Sequence, residues 1–71
     1  MDELLRKLLL DRYVEARRWL RKTGGSVQRA PEGAFERVVV SLPSGRTSSF
    51  VATEDGDFEE GVVLAVDELR S

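Results

Sequence analysis

The chain has 71 residues, of which 41% are hydrophobic and 34% charged, and its formal net charge is −2. This length suits one small domain, because chains near 60 residues bury only about 60% of their unfolded surface and cannot support two cores. The sequence contains neither cysteine nor histidine, which excludes disulfides, thiolate metal sites and imidazole chemistry.

The composition also argues against an enzyme. Serine, threonine, lysine and carboxylates remain as reactive groups, but so short a chain rarely builds both a core and a walled cleft that would shift their pKa values. We therefore expect a protein with no enzymatic activity, no catalytic residue, no cofactor and no small-molecule substrate.

The N-terminus offers no sign of export. Met1-Asp2-Glu3 is acidic where a secretory signal would be basic, and Arg6-Lys7 interrupts the leucines that follow. No stretch approaches the roughly 20 apolar residues that a membrane-spanning helix needs. We expect a cytoplasmic protein without a membrane partner.

The first third of the chain has the apolar spacing of an amphipathic helix. Residues recur at intervals of three and four: Leu5, Leu9, Tyr13, Ala16 and Leu20. This pattern predicts a helix over about residues 2–22 whose apolar face covers a sheet. Thr23-Gly24-Gly25 then ends it, since glycine readily adopts the left-handed conformation that closes a helix.

A hairpin is predicted in the middle of the chain. Two β-branched or apolar segments, about 35–42 and 46–53, flank the turn sequence Pro43-Ser44-Gly45. The short segment 26–30 favours either an edge strand or irregular chain, and Pro31-Glu32-Gly33 after it is typical of a turn.

A second helix is predicted over about residues 57–70. One face of this segment is apolar, with members at Phe58, Val62, Ala65, Val66 and Leu69. Gly61 and the run Val62–Val66 leave a buried strand as the alternative. The predicted fold class is α+β: a single domain over residues 1–71, ordered α-β-β-β-α or α-β-β-α, with two helices on one face of a two- or three-stranded antiparallel sheet.

An acidic run precedes and opens the second helix: Glu54, Asp55, Asp57, Glu59 and Glu60. Its spacing does not fit a calcium loop, because Glu60 and Val66 stand where an EF-hand needs glycine and the bidentate glutamate. Acidic residues at a helix N-terminus interact favourably with the helix dipole. We therefore predict no metal site.

Charge is divided unevenly along the chain. Residues 1–30 carry eight Lys/Arg against four Asp/Glu, whereas residues 31–71 carry three against nine. Helix dipoles account for the acids that open the second helix and for the cations that end the first. They do not account for Arg6 and Lys7. A helix turns by about 100° per residue, and this rotation places Arg6 and Lys7 on the same solvent-facing side as the later cations.

Leu10 and Val14 lie within this basic stripe, one turn apart and pointing away from the predicted sheet-covering face. The first helix is also longer than six-residue strands, so its leucine-rich first turns should overhang the sheet and need a partner. We predict a binding surface for a protein partner or for another copy of the chain, with oligomerisation as one outcome. We call this surface the basic face, and it comprises Arg6, Lys7, Leu10, Val14, Arg17, Arg18 and Arg21.

The alternative is a nucleic-acid-binding module that uses the same cations, although the net charge of −2 disfavours a general polyanion binder. The order of elements resembles the double-stranded-RNA-binding domain. That family has a histidine loop and a lysine cluster at the start of helix two. Here the corresponding segments read Ala30-Pro31-Glu32-Gly33 and Asp57-Phe58-Glu59-Glu60, so RNA binding does not carry over.

A further alternative is an assembly protein. Within the predicted hairpin, Arg37-Val38, Gly45-Arg46, Phe50 and Ala52-Thr53 resemble the hairpin of the small α-β-β-α head–tail joining proteins of tailed phages. The resemblance covers about seventeen residues, and it implies assembly into a ring.

Overall fold

The computed structural model describes residues 3–53 and 57–71. It contains two helices and three strands, in the order α1 (Glu3–Thr23), β1 (Ser26–Glu32), β2 (Phe35–Ser41), β3 (Thr47–Ala52) and α2 (Asp57–Arg70). The predicted α+β class is confirmed with all three strands, and the segment 62–66 is helical rather than a buried strand.

The strands form an antiparallel sheet in the order β1-β2-β3. Contrary to the predicted turn at residues 31–33, β1 continues through Pro31 to Glu32, which pairs with Phe35. Proline is accommodated because β1 is an edge strand, where the missing N–H costs no ladder hydrogen bond. The loop has two residues, Gly33 and Ala34. Gly33 has a positive φ of 64° and Ala34 does not, which is typical of a type II′ turn.

Glycines with positive φ lie at the end of α1 and in the turn between β2 and β3. Gly24 has a φ of 78°, and the amide of Gly25 donates to the carbonyl of Leu20 at 2.8 Å, which makes a Schellman-type end to α1. The predicted turn at Pro43-Ser44-Gly45 is present, with the Gly45 amide donating to the Leu42 carbonyl at 3.0 Å.

The core lies between α2 and the inner face of the sheet. Val40 of β2 is fully buried in one cluster with a face of α2 that buries five residues: Val62, Val63, Ala65, Val66 and Leu69. Val38, two positions earlier on the same face of β2, is also fully buried. From α1 only Ala16 and Leu20 are buried. Because α2 covers much of the sheet, α1 packs along α2 and joins the core through its C-terminal half.

Gly61 brings α2 unusually close to the sheet. A Cβ placed on Gly61 would lie 2.5 Å from Cζ of Phe50, and closer still to two other atoms of that ring. The Phe50 ring of β3 therefore packs directly on the backbone of α2. This contact explains why a glycine stands inside a helix, where it lowers helix stability by about 1 kcal/mol relative to alanine.

The N-terminal half of α1 is exposed. Every residue from Glu3 to Leu8 is exposed, Leu5 among them, so the prediction that Leu5 covers the sheet is wrong. The physical reason is that α1 is a 21-residue helix above strands of six or seven residues, and its first turns extend past the packed core. Among the described residues, no helix combines the length and apolarity needed to cross a bilayer.

Candidate interaction surface

All seven residues of the basic face lie on α1 and are exposed. The opposite flank of α1 faces α2, through an Arg12 to Asp67 ion pair of 2.9 Å and a Glu15 to Arg70 pair of 3.8 Å. At about 100° per residue, the basic face is turned away from that flank. The fold therefore leaves it open to a partner, as a binding surface requires, and its use for binding stays a prediction.

Two aliphatic side chains lie among the cations of this face. Leu10 is 39% exposed and Val14 is 53% exposed. The surface around Val14 is a shallow depression of about 300 Å³, whose lining also includes Tyr13, Arg17, Arg18 and Arg21. Three of its five lining residues are cationic, and Val14 is its aliphatic member, so the depression offers positive charge beside a small apolar contact to an acidic, partly apolar partner.

The cations of the basic face differ from the other arginines in their pairing. Within residues 3–53 and 57–71, no ion pair within 4 Å involves Arg6, Lys7, Arg17, Arg18 or Arg21. One of these cations contacts an aromatic ring instead: the Arg17 guanidinium lies 6.0 Å from the centre of the Tyr13 ring. The positive charge along this side of α1 is therefore not neutralised locally.

Arginines elsewhere on the surface are held in structural pairs. On the β1–β2 hairpin, Arg37 donates to Glu32 at 2.7 Å, and this hydrogen bond lowers the pKa of Glu32 and raises that of Arg37. Arg29 donates to Glu36, which raises the pKa of Arg29. The charged states of Arg29, Glu32 and Arg37 are thereby favoured, and both pairs are part of the hairpin rather than free binding groups.

The aromatic residues of α1 contribute to packing. The rings of Tyr13 and Phe58 meet edge to face at 5.9 Å, and the guanidinium of Arg29 lies 4.0 Å from the centre of the Phe58 ring. Trp19 is half-buried beneath the guanidinium of Arg70, at 5.6 Å. Both rings are thus partly covered and engaged by neighbouring side chains, which leaves less of their faces for stacking against a nucleic-acid base.

The structure adds a surface that the sequence analysis missed. A groove of about 340 Å³ runs between the N-terminal half of α1 and α2. We call it the leucine groove, and it comprises Leu5, Leu8, Leu9, Arg12, Glu60, Val63 and Leu64. Two residues in the sequence could have indicated this groove: Leu64 is apolar but lies outside the predicted core face of α2, and Leu8 lies beside the predicted apolar face of α1.

The acidic run does not assemble into a metal site where it is described. Glu54 and Asp55 lie outside the described residues, and the carboxylate of Asp57 accepts hydrogen bonds from the amide and hydroxyl of Thr53. Among residues 3–53 and 57–71, no three acidic groups come close enough together to hold a metal ion. Asp57 instead ties the end of β3 to the start of α2.

Comparison of the chain with protein-family models, curated proteins and solved structures found no match. The α-β-β-β-α architecture is shown by the structure itself, and neither family resemblance noted in the sequence gains support.

Proposed function

We propose that this domain is a non-enzymatic protein-interaction module whose basic face binds an acidic, partly apolar surface of another protein. The observation that carries the proposal is the exposure of Leu10 and Val14 among five cations that make no ion pair in the described part of the chain. The proposed setting is the cytoplasm.

The two kinds of side chain would contribute differently. Complete burial of an exposed leucine or valine is worth roughly 1.5–3 kcal/mol, and Leu10 and Val14 are about half exposed. Each therefore offers about 1 kcal/mol to a complex. The unneutralised cations would accelerate encounter with an acidic partner and would make association sensitive to salt.

Nucleic-acid binding is the second candidate, because the unpaired cations could equally contact phosphates. Two features weigh against it: the packing of Tyr13 and Trp19 and an apolar pair where phosphate contacts would be expected. The two candidates differ in their response to substitution. A protein complex depends on Leu10, whereas phosphate binding depends on the cations and falls steeply with rising salt.

The test compares capture of proteins from a lysate of the native host by immobilised wild type, Leu10→Glu and Val51→Glu. Val51 is 41% exposed on the outer face of β3, so it matches the exposure of Leu10 at a site off the basic face. Support requires a protein that is retained by wild type and Val51→Glu, is lost with Leu10→Glu, and binds directly after purification.

Equal capture by Leu10→Glu and wild type would overturn the proposal. A parallel titration uses labelled duplex and single-stranded DNA and RNA at low and moderate salt. Binding to these probes that survives Leu10→Glu, with no protein lost in that variant, would replace the proposal with the nucleic-acid candidate.

A further inference from the structure

We propose that the open edge of β1 binds an extended acidic segment of a partner, which pairs with it as an added strand of the sheet. This site goes beyond the proposed function, because the backbone of the sheet makes the contact rather than Leu10. It shares only Arg17 and Arg21 with the basic face. Two features of the described chain support it: the outward backbone groups of β1 and the positive charge beside them.

The backbone groups of β1 alternate in direction. In an antiparallel pair, every second residue bonds to the neighbouring strand, and the residues between direct their N–H and C=O groups to the other side. The two-residue loop after β1 makes Glu32 and Phe35 a hydrogen-bonded pair. The residues of β1 that bond to β2 are therefore Ser26, Gln28, Ala30 and Glu32. Val27, Arg29 and Pro31 consequently direct their backbone groups to the open edge of the sheet.

The hairpin between β2 and β3 leads to the same assignment. The amide of Leu42 donates to the carbonyl of Arg46 at 2.9 Å, so Leu42 and every second residue before it bond toward β3. Val39 belongs to the other set and bonds toward β1, where its partner is Gln28. The neighbours of Gln28 on β1 therefore bond to neither strand.

These outward groups are available to a partner. Within residues 3–53 and 57–71, no hydrogen bond from a helix, a loop or a side chain reaches the backbone of Val27 or Arg29. Val27 and Arg29 each offer an N–H and a C=O, whereas Pro31 offers its carbonyl alone. An extended segment that pairs with such an edge gains main-chain hydrogen bonds, a recurring mode of peptide recognition.

The charge beside this edge favours an acidic segment. A depression of about 170 Å³ lies between the end of α1 and the start of β1, and it is lined by Arg17, Leu20, Arg21, Gly25, Ser26 and Val27. Since this lining comes from α1, β1 and the glycine between them, the depression is on the side of β1 away from β2. Arg17 and Arg21 make no ion pair in the described part of the chain.

The position opposite Val27 on the added strand is where an acid contributes. A side chain there points to the same face of the sheet as Val27, toward the depression, where a carboxylate can accept charge-assisted hydrogen bonds from guanidinium groups. The guanidinium of Arg29 is already paired with Glu36. Arg29 therefore contributes its backbone to the site rather than its charge.

The opposite edge of the sheet differs in charge. By the same alternation, Thr47, Ser49 and Val51 of β3 direct their backbone groups outward. A carboxylate lies beside this strand, since the hydroxyl of Ser48 donates to Glu68 at 3.4 Å. Like charges repel, so an acidic segment is disfavoured at β3 and favoured at β1.

A nuclear magnetic resonance titration locates the site. The probe is a capped peptide of alternating Thr and Glu, and the control peptide has Lys in place of Glu. Because few hydrogen bonds form, binding should be weak, and the probe is raised to about 1 mM at low salt. We expect the amide signals of Val27 and Arg29 to shift and those of Ser49 and Val51 to stay unchanged. No shift at β1, equal shifts at both edges, or equal binding of the Lys peptide would overturn the proposal.

Two substitutions at one position separate main-chain pairing from side-chain charge. Arg29→Ala and Arg29→Pro both remove the guanidinium, but only proline also removes the outward N–H. Pro31 occupies an equivalent outward position in the same strand, so β1 accepts proline there. We expect Arg29→Ala to keep most of the affinity for the probe and Arg29→Pro to lose about tenfold or more. Equal affinities for these two variants would contradict strand pairing.

N-methylated probes test the same pairing on the wild-type protein, whatever the stability of Arg29→Pro. One probe is methylated at the Thr amides and the other at the Glu amides. In a paired strand, one set of amides faces β1 and the other faces solvent. The two probes should therefore differ in affinity by about tenfold or more, and equal affinities would overturn the proposal.

The outcome is separable from the proposed function. A probe that leaves β1 unaffected, beside a protein captured through Leu10, would refute strand addition and leave the interaction module intact. A probe that binds β1, beside capture of proteins unchanged by Leu10→Glu, would refute the basic face as the partner surface and leave the edge of β1 as the binding site.

Discussion

Gly61→Ala should destabilise this domain, although alanine is the better helix former. The new Cβ would stand 2.5 Å from Cζ of Phe50, whereas ordinary contacts lie at 3.4–4 Å. The ring would have to withdraw by about 1 Å from a packed core, and overpacking of this kind costs roughly 1–3 kcal/mol. Since three ring atoms collide with the new Cβ, we take the upper end of that range.

Helix propensity opposes this cost. Replacing glycine by alanine inside a helix gains about 1 kcal/mol, so the expected net loss in the free energy of unfolding is about 2 kcal/mol. For a domain of this size, each 1 kcal/mol lowers the melting temperature by about 4–8 °C. Urea unfolding followed by circular dichroism measures the free energy, and thermal melts measure the corresponding shift.

The Phe50→Val variant separates the cost of the ring collision from the gain in helix propensity. Phe50→Val removes the three colliding ring atoms and keeps a residue with high strand propensity. In that background, Gly61→Ala should stabilise by about 1 kcal/mol, because only the propensity gain remains. A neutral or stabilising effect of Gly61→Ala in the wild-type background would refute the close packing of Phe50 on α2.

Two further predictions concern charged groups at the ends of elements. Arg46 donates to the carbonyl of Leu69 in the last turn of α2 at 3.0 Å, and a cation there is favoured by the helix dipole, so Arg46→Gln should lower the free energy of unfolding by about 1 kcal/mol in urea titrations. Because the hydrogen bond from Arg37 lowers the pKa of Glu32 on folding, the contribution of this pair to stability is present above the ordinary pKa of glutamate and is lost as the pH falls through the lower, folded value. An NMR titration should find the Glu32 midpoint below that of a free glutamate, and Arg37→Gln should raise it. An unchanged midpoint in Arg37→Gln would show that the pair does not control this carboxylate.

The order of elements could be predicted from the sequence because local signals agree with the tertiary structure. The spacing of apolar residues predicts both helices. Gly24-Gly25 ends α1, and Pro43-Ser44-Gly45 forms the turn between β2 and β3, as their residue types predict. The doubt about α2 came from Gly61. Local signals do not account for this glycine, because its reason is the ring of Phe50 on β3.

The errors have a common origin in contacts between distant elements. Pro31 suggested a turn, but its place on an edge strand makes it compatible with pairing. Leu5 has the spacing of a core residue, yet it lies in the first turns of α1, which the helix length predicted to overhang the sheet and which are exposed. Periodicity gives the direction of a side chain around its own helix, and it does not give the length of the neighbouring elements.

The basic face could be named from the sequence because exposure and charge follow from the rotation of one helix. The leucine groove could not, since it requires Leu8 of α1 beside Leu64 of α2. Their proximity depends on how the helices pack. Arg12 pairs with Asp67 and Glu15 with Arg70, so the two helices run in the same direction at a fixed register, which the sequence does not specify.

The most direct test of the interaction role is the affinity of the purified captured partner for wild type, Leu10→Glu and Val51→Glu, measured side by side by calorimetry. The basic face predicts that Leu10→Glu weakens binding by at least tenfold, that Val51→Glu leaves it within twofold, and that added salt weakens wild-type binding. Equal affinities for all three proteins would contradict the account, because the partner would then bind elsewhere on the domain.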